Sequence, residues 1–340
     1  MLHLRMIIPP ERTDAVVDVV ESTVGTAHLV VLPGAGRDPR GDLVLCDVAR
    51  EAGDELLQEL RALKIDEDGS IAVANIDLSL SRRADAAEEE APGEGADAVL
   101  WEQLTEATHE ESTLTITYCA FMMLATMIAA CGVVLDNAIL IVGAMAVGPE
   151  FGPLAGVCTA VVRGIPRLAL RSLGALLIGF ALAIIATTVF TLGMDWIGQF
   201  DRTMLDSPRP NTGFIWKPDP LSFVVSLLAG VAGVLSLTSA KSGALVGVAI
   251  SVTTVPAAAN AAVALGYGEF AQMWGSAEQL MVNLGGIMLA GILTLAGQKL
   301  LWRGPRGGGG GPRGGGGGGA GGPGGGGTTP PPPPRPPRPA

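Results

Sequence analysis

A chain of 340 residues that is 48% hydrophobic and 16% charged, with mean hydropathy +0.42, is not an ordinary soluble protein, in which charged residues make up about 25%. The formal net charge of −11 sits largely in the amino-terminal third, notably Asp85 to Asp97. Such an acidic soluble part argues against nucleic acid as a partner, because a phosphate backbone demands a basic face.

Residues 1–80 alternate between two hydrophobic periods. Leu2 to Ile8 predicts a strand, and Pro9-Pro10 opens a helix in which Ala15, Val16, Val19 and Val20 recur at helical spacing. Thr26 to Leu32 and Leu43 to Val48 predict two further strands joined by a hairpin-like loop at Gly34-Ala35-Gly36, Pro39 and Gly41. Glu51 to Leu63 is amphipathic, and Ser70 to Leu78 predicts the last strand. The order strand, helix, strand, strand, helix, strand is that of a ferredoxin-like α+β domain, a unit that often binds a metabolite or dimerises. The Gly34-x-Gly36 pair lies between strands and reads as a turn, not a phosphate loop. His3 and His28 fall on strands with no clustered partner in sequence and read as ordinary strand positions.

Residues 81–98 are rich in Ala, Glu, Asp, Pro and Gly and predict an acidic flexible linker. Helical spacing returns over 98–112 at Leu100, Trp101 and Leu104, an amphipathic lead-in completing an 81–112 connector. Residues 113–303 then hold six apolar segments, near 114–135, 138–162, 168–193, 221–240, 243–265 and 280–302. Small residues such as Gly174 with Gly179 and Gly230 with Gly233 suit close helix packing in lipid. Cys46, Cys119, Cys131 and Cys158 lack metal-ligand spacing and read as small buried hydrophobes, so neither metal nor cofactor is expected. Arg163, Arg167, Arg171, Lys241, Lys299, Arg303 and Arg306 fall on one side of this pattern, which predicts both termini in the cytoplasm of a multi-pass inner-membrane protein. Pro9, Pro10 and Glu11 interrupt any signal-like start. Residues 304–340 are Gly- and Pro-rich and predict a disordered tail.

Within the second apolar segment lies Gly148-Pro149-Glu150-Phe151-Gly152-Pro153. About 25 residues at 1.5 Å rise would cross a core of roughly 30 Å, leaving Glu150 near mid-depth and unable to snorkel. A carboxylate there must be protonated, partnered or facing a wet cavity. Pro149 and Pro153 withhold backbone donors, which predicts a broken helix lining an interior site. The fifth segment resembles the second: Ile141-Val142-Gly143-Ala144 before Pro153 parallels Leu245-Val246-Gly247-Val248 before Pro256. Three spans separate the copies, so they would cross in opposite senses, as in a 3+3 inverted repeat. The second copy brings Thr253, Thr254 and Asn260 to membrane depth, and Asn283 joins from the last span.

The runs from Asp136 to Pro153 and from Gly243 to Pro256 resemble an uncharacterised membrane family, domain of unknown function 389. The resemblance covers roughly 113–302 and implies a prokaryotic integral membrane protein without an assigned substrate. The commoner family pattern has apolar residues at Glu150, Thr253 and Thr254, so no family role transfers to them. The leading expectation is a transporter or channel with a midplane site at Glu150, Thr253, Thr254, Asn260 and Asn283, shaped by Pro149, Pro153 and Pro256. The alternative is a non-transporting sensor or scaffold. The lipid bilayer is the expected partner, with a second copy of the chain and a small ligand of the first domain as further partners. No His-Cys-carboxylate cluster, nucleophile elbow or phosphate loop supports an enzyme.

Overall fold

The computed structural model describes residues 1–76, 78–91, 99–217, 219–239 and 254–301. Its first part is a four-stranded sheet with antiparallel pairing and strand order β2-β3-β1-β4. The strands are β1 (Leu2–Ile8), β2 (Thr26–Arg37), β3 (Arg40–Val48) and β4 (Ser70–Asn75). Alternation along β1 and β3 sends Leu2, Leu4, Met6, Ile8, Val44, Cys46 and Val48 to one face. There they meet Val16 and Val20 of α1 (Thr13–Ser22) and Leu56, Leu57 and Leu60 of α2 (Arg50–Ala62). Each such side chain contributes about 1.5–3 kcal/mol through burial. A short α3 (Ile65–Asp68) precedes β4.

Three local expectations change. The hairpin expected around Gly34 is present but longer, because β2 continues to Arg37 and β3 starts at Arg40. The stretch expected to be a flexible linker contains α4 (Arg82–Glu90), whose first amides bond the Ser81 hydroxyl. An N-cap and a run of Ala and Glu outweigh the net charge there. His3 and His28 are also not isolated: Nδ1 of each lies 2.7 Å from a carboxylate oxygen of Asp47. His28 sits in a register shift between Ala27 and Val30 at φ 53°, and its Nε2 meets the Ser81 hydroxyl at 2.7 Å. Strand register, invisible in a linear reading, makes this cluster.

The lead-in helix is α5 (Trp101–Glu111). Beyond it, α6 (Ile116–Val134, 19 residues), α9 (Pro166–Trp196, 31), α11 (Pro220–Thr238, 19) and α13 (Phe270–Leu301, 32) are long and apolar enough to cross a membrane. The second expected span is divided into α7 (Ala138–Met145) and α8 (Phe151–Arg163). Of the fifth, the structure describes α12 (Val255–Tyr267). Both α8 and α12 have 13 residues, about 20 Å of helix and too short to cross alone. A short α10 (Arg202–Asp206) and a 3-10 turn (Gly213–Trp216) lie between α9 and α11, and Leu205 and Ile215 pack into the bundle.

Among the described residues, three helices recur at a displacement of 104 residues, the separation of Glu150 and Thr254. The pairs are α6 with α11, α8 with α12, and α9 with α13. Thr115 caps α6 through the Tyr118 amide as Asp219 caps α11 through that of Ser222. The short helices end at Gly164 (φ 73°) and Gly268 (φ 74°), left-handed closures that favour glycine. Of the glycines singled out above, Gly179 lies under the Tyr118 ring and Gly230 against the Ile287 backbone, whereas Gly174 faces open space. The first two are close approaches of the kind that stabilise helix pairs in lipid.

Candidate functional site

Glu150 is the residue before α8, and Thr254 is the residue before α12. Both are fully buried, and the Thr254 hydroxyl donates to Oε1 of Glu150 at 3.0 Å. Each also closes the first turn of its helix through its carbonyl: Leu154 N–H bonds Glu150, and Ala258 N–H bonds Thr254. The Thr254 hydroxyl thus joins the two helix starts at the Glu150 carboxylate, on the end of each helix where the dipole favours negative charge. Gly148 makes the approach feasible, because a Cβ there would collide with Oε2 of Glu150 and come within 3.0 Å of Val255 Cγ2.

The prolines act differently from a kink inside a continuous helix. Pro153 and Pro256 occupy the first turns of α8 and α12, where a missing N–H breaks no internal bond. Pro149 lies in the 146–150 connection, while Ala146, Val147 and Gly148 still bond back to Val142 and Ala144. The break is thus a change of helix, with the acid at the new start.

Thr253 lies outside the described residues, so the structure brings Glu150 and Thr254 together from the expected set. Asn260 belongs to a second polar group. Its Oδ1 accepts from Arg209 Nη1 at 2.9 Å and its Nδ2 donates to Ser276 Oγ at 2.7 Å, while Arg209 Nη2 donates to Gln272 Oε1 at 2.8 Å. Asn283 accepts from Gln279 Nε2 at 3.3 Å. Gln272, Ser276, Gln279 and Asn283 share one side of α13, since steps of three and four return to the same helix face. That spacing was the available signal for Ser276 and Gln279. Arg209 had none, since the sequence places it in a connecting loop. Among the described residues no three His, Cys, Asp or Glu side chains form a metal-binding group.

A bridge ties the first domain to the half-helix bearing Glu150. Glu102 of α5 accepts from Arg61 of α2 and from Arg163 at the end of α8, both at 2.8 Å. Arg163 also donates to the Trp101 carbonyl and the Thr105 hydroxyl, and Asp54 of α2 accepts the Trp101 amide at 3.2 Å. Burial raises the Asp54 pKa, and the Gln58 and Trp101 hydrogen bonds only partly offset it. In the sheet, burial and then the neighbouring Asp47 push the Cys46 thiol up to about 12, which makes it an inert packing group.

Residues 145–289 match a family described as domain of unknown function 389 (DUF389), a segment containing both half-helices. An uncharacterized protein of Methanocaldococcus jannaschii is 26% identical over 207 residues, which cover 61% of this chain and 62% of the relative. The match thus spans less than two thirds of that relative's own length. No solved structure matches the chain. The segment that carries both half-helices is thus similar to the DUF389 family.

Proposed function

We propose that this protein is a transporter or channel built as an inverted repeat, in which Glu150 carries or exchanges a proton, or coordinates a cation, at the midplane. The observation that carries the reading is the Glu150–Thr254 hydrogen bond between equivalent positions of two half-helices. The 104-residue displacement that relates α6, α8 and α9 to α11, α12 and α13 supports it as well. Broken helices that meet start to start at mid-depth are a recurrent way of building a transport site. In this reading both termini are cytoplasmic, and the strand order β2-β3-β1-β4 supports a ferredoxin-like regulatory domain. The Glu102 bridge supplies a route by which that domain would act on α8. The same bridge favours a second reading, a sensor whose spans relay or anchor without transport.

Proteoliposomes holding a pH gradient separate the two. Wild type is expected to show pH-dependent flux, and Glu150→Gln to remain folded with that dependence gone. Unchanged pH dependence in the variant would rule out the role given to Glu150, and an absence of flux in wild type would leave the sensor.

A further inference from the structure

Arg209 is only 9% exposed although the sequence places it in a loop. Its guanidinium enters the bundle between α12 and α13, and the acceptors it reaches there are amide oxygens of Asn260 and Gln272. Buried guanidinium groups ordinarily meet carboxylates, because removing a full charge from water is costly without an opposite charge. Burial lowers the Arg209 pKa, and the acids that oppose this, Asp136 and Asp206, form no ion pair with it among the described residues. The Asp136 carboxylate is engaged by the Asn211 amide and the Thr212 hydroxyl, and Asp206 pairs loosely with Arg202. A guanidinium has five N–H donors, and those not used on Asn260 and Gln272 have no acceptor among the described residues. Deeper on the same face of α13, Gln279 is 3% exposed and its Oε1 has no hydrogen-bond partner.

The first half of the chain lacks this arrangement. The counterparts of Asn260 and Ser276 are Gly156 and Ser172, displaced by the same 104 residues, and a Cβ at Gly156 would press on the Ser172 hydroxyl. The buried cation is therefore a feature added to one half, close to the α9–α11 connection. From Thr254 to Asn260, α12 advances about 9 Å. The buried cation thus lies one or two turns from the convergent helix starts, whose dipoles also favour an anion.

We propose that Arg209, Asn260 and Gln272 form a binding station for a small monovalent anion, a halide or a short carboxylate. The transport aspect rests on the proposed function, with the anion passing from this station towards helix starts that are open to it when Glu150 is protonated. The station itself does not.

The test uses the full chain in detergent, titrated with sodium chloride, nitrate or acetate against sodium gluconate at constant ionic strength, with melting temperature and calorimetry as readouts. One of the small anions is expected to stabilise wild type saturably, chloride or nitrate pointing to an inorganic ligand and acetate to a carboxylate. Arg209→Gln should weaken that binding at least tenfold. Should Arg209→Gln fail to fold, Asn260→Asp keeps the test alive, since it places a carboxylate beside the guanidinium and is expected to raise the melting temperature while abolishing the anion response. No saturable response in wild type, or an undiminished response in Asn260→Asp, overturns the station. Anion binding without flux in proteoliposomes would retain the station and defeat the transport reading, whereas flux without anion binding would do the reverse.

Discussion

Glu150 and Thr254 stand at the same place in two different helices, one residue before the first turn, and are hydrogen-bonded across 104 residues at 3.0 Å. The hydroxyl at one helix start donates to the carboxylate at the other. Thr254→Val keeps the shape of the side chain and withdraws this donor. The expected cost is about 1–3 kcal/mol, the usual penalty for leaving a buried group short of a partner. In the Glu150→Gln background the same change should cost measurably less, because contacting residues are not additive. Denaturation of the four proteins in one detergent measures the difference, and strict additivity would mean that the two residues are not coupled.

Gly148→Ala tests geometry instead of charge. The added methyl meets Oε2 of Glu150 first, the far end of a side chain, and then Val255 Cγ2 at 3.0 Å. The carboxylate should move before the backbone does. Flux is expected to fall strongly while melting temperature changes little. A large loss of stability with normal flux per folded molecule would show that α7 and α8 shift as a body.

The Glu102 bridge predicts selective loosening. Glu102 is partly buried and holds two guanidiniums, of which Arg61 is half exposed and Arg163 mostly covered. Glu102→Gln should weaken the junction by about 1–3 kcal/mol, most of it through Arg163. Hydrogen exchange of the full chain should show faster exchange in α5 with the β1–β3 ladder unchanged. Equal acceleration in the sheet would place the effect in the domain core and remove the bridge as a route of regulation.

Much of this arrangement was legible in sequence, for physical reasons that can be named. Prolines, small residues and a lone acid in an apolar run pointed to a break within 148–153, and the structure has the helix change at 146–150; Glu150 and Thr254 were expected in one site, and the structure hydrogen-bonds them. What sequence could not show was pairing across distance. The His3–Asp47–His28 cluster depends on strand register, and Arg209 reads as an exposed loop cation until the chain folds it against Asn260. The acidic stretch after Ser81 misled because net charge reports on solvation, whereas the Ser81 cap decides whether a helix starts.

Asp54 connects that local logic to pH. Its pKa is raised, chiefly by burial, although its oxygens accept from the Gln58 side chain and the Trp101 amide. A carboxyl group whose folded pKa lies above its unfolded value stabilises the fold fully below the unfolded value, about 3.9 for Asp. That contribution is lost as pH rises through the folded value. Asp54→Asn keeps an oxygen for the Trp101 amide and removes the ionisation. The variant should therefore lose less stability than wild type as pH rises from about 4 to 7, and equal or exceed it at neutral pH. Melting curves of both proteins across that interval give the comparison. Parallel curves would show that the ionised Asp54 is as well accommodated in the fold as in water, leaving the α2–α5 junction insensitive to its charge.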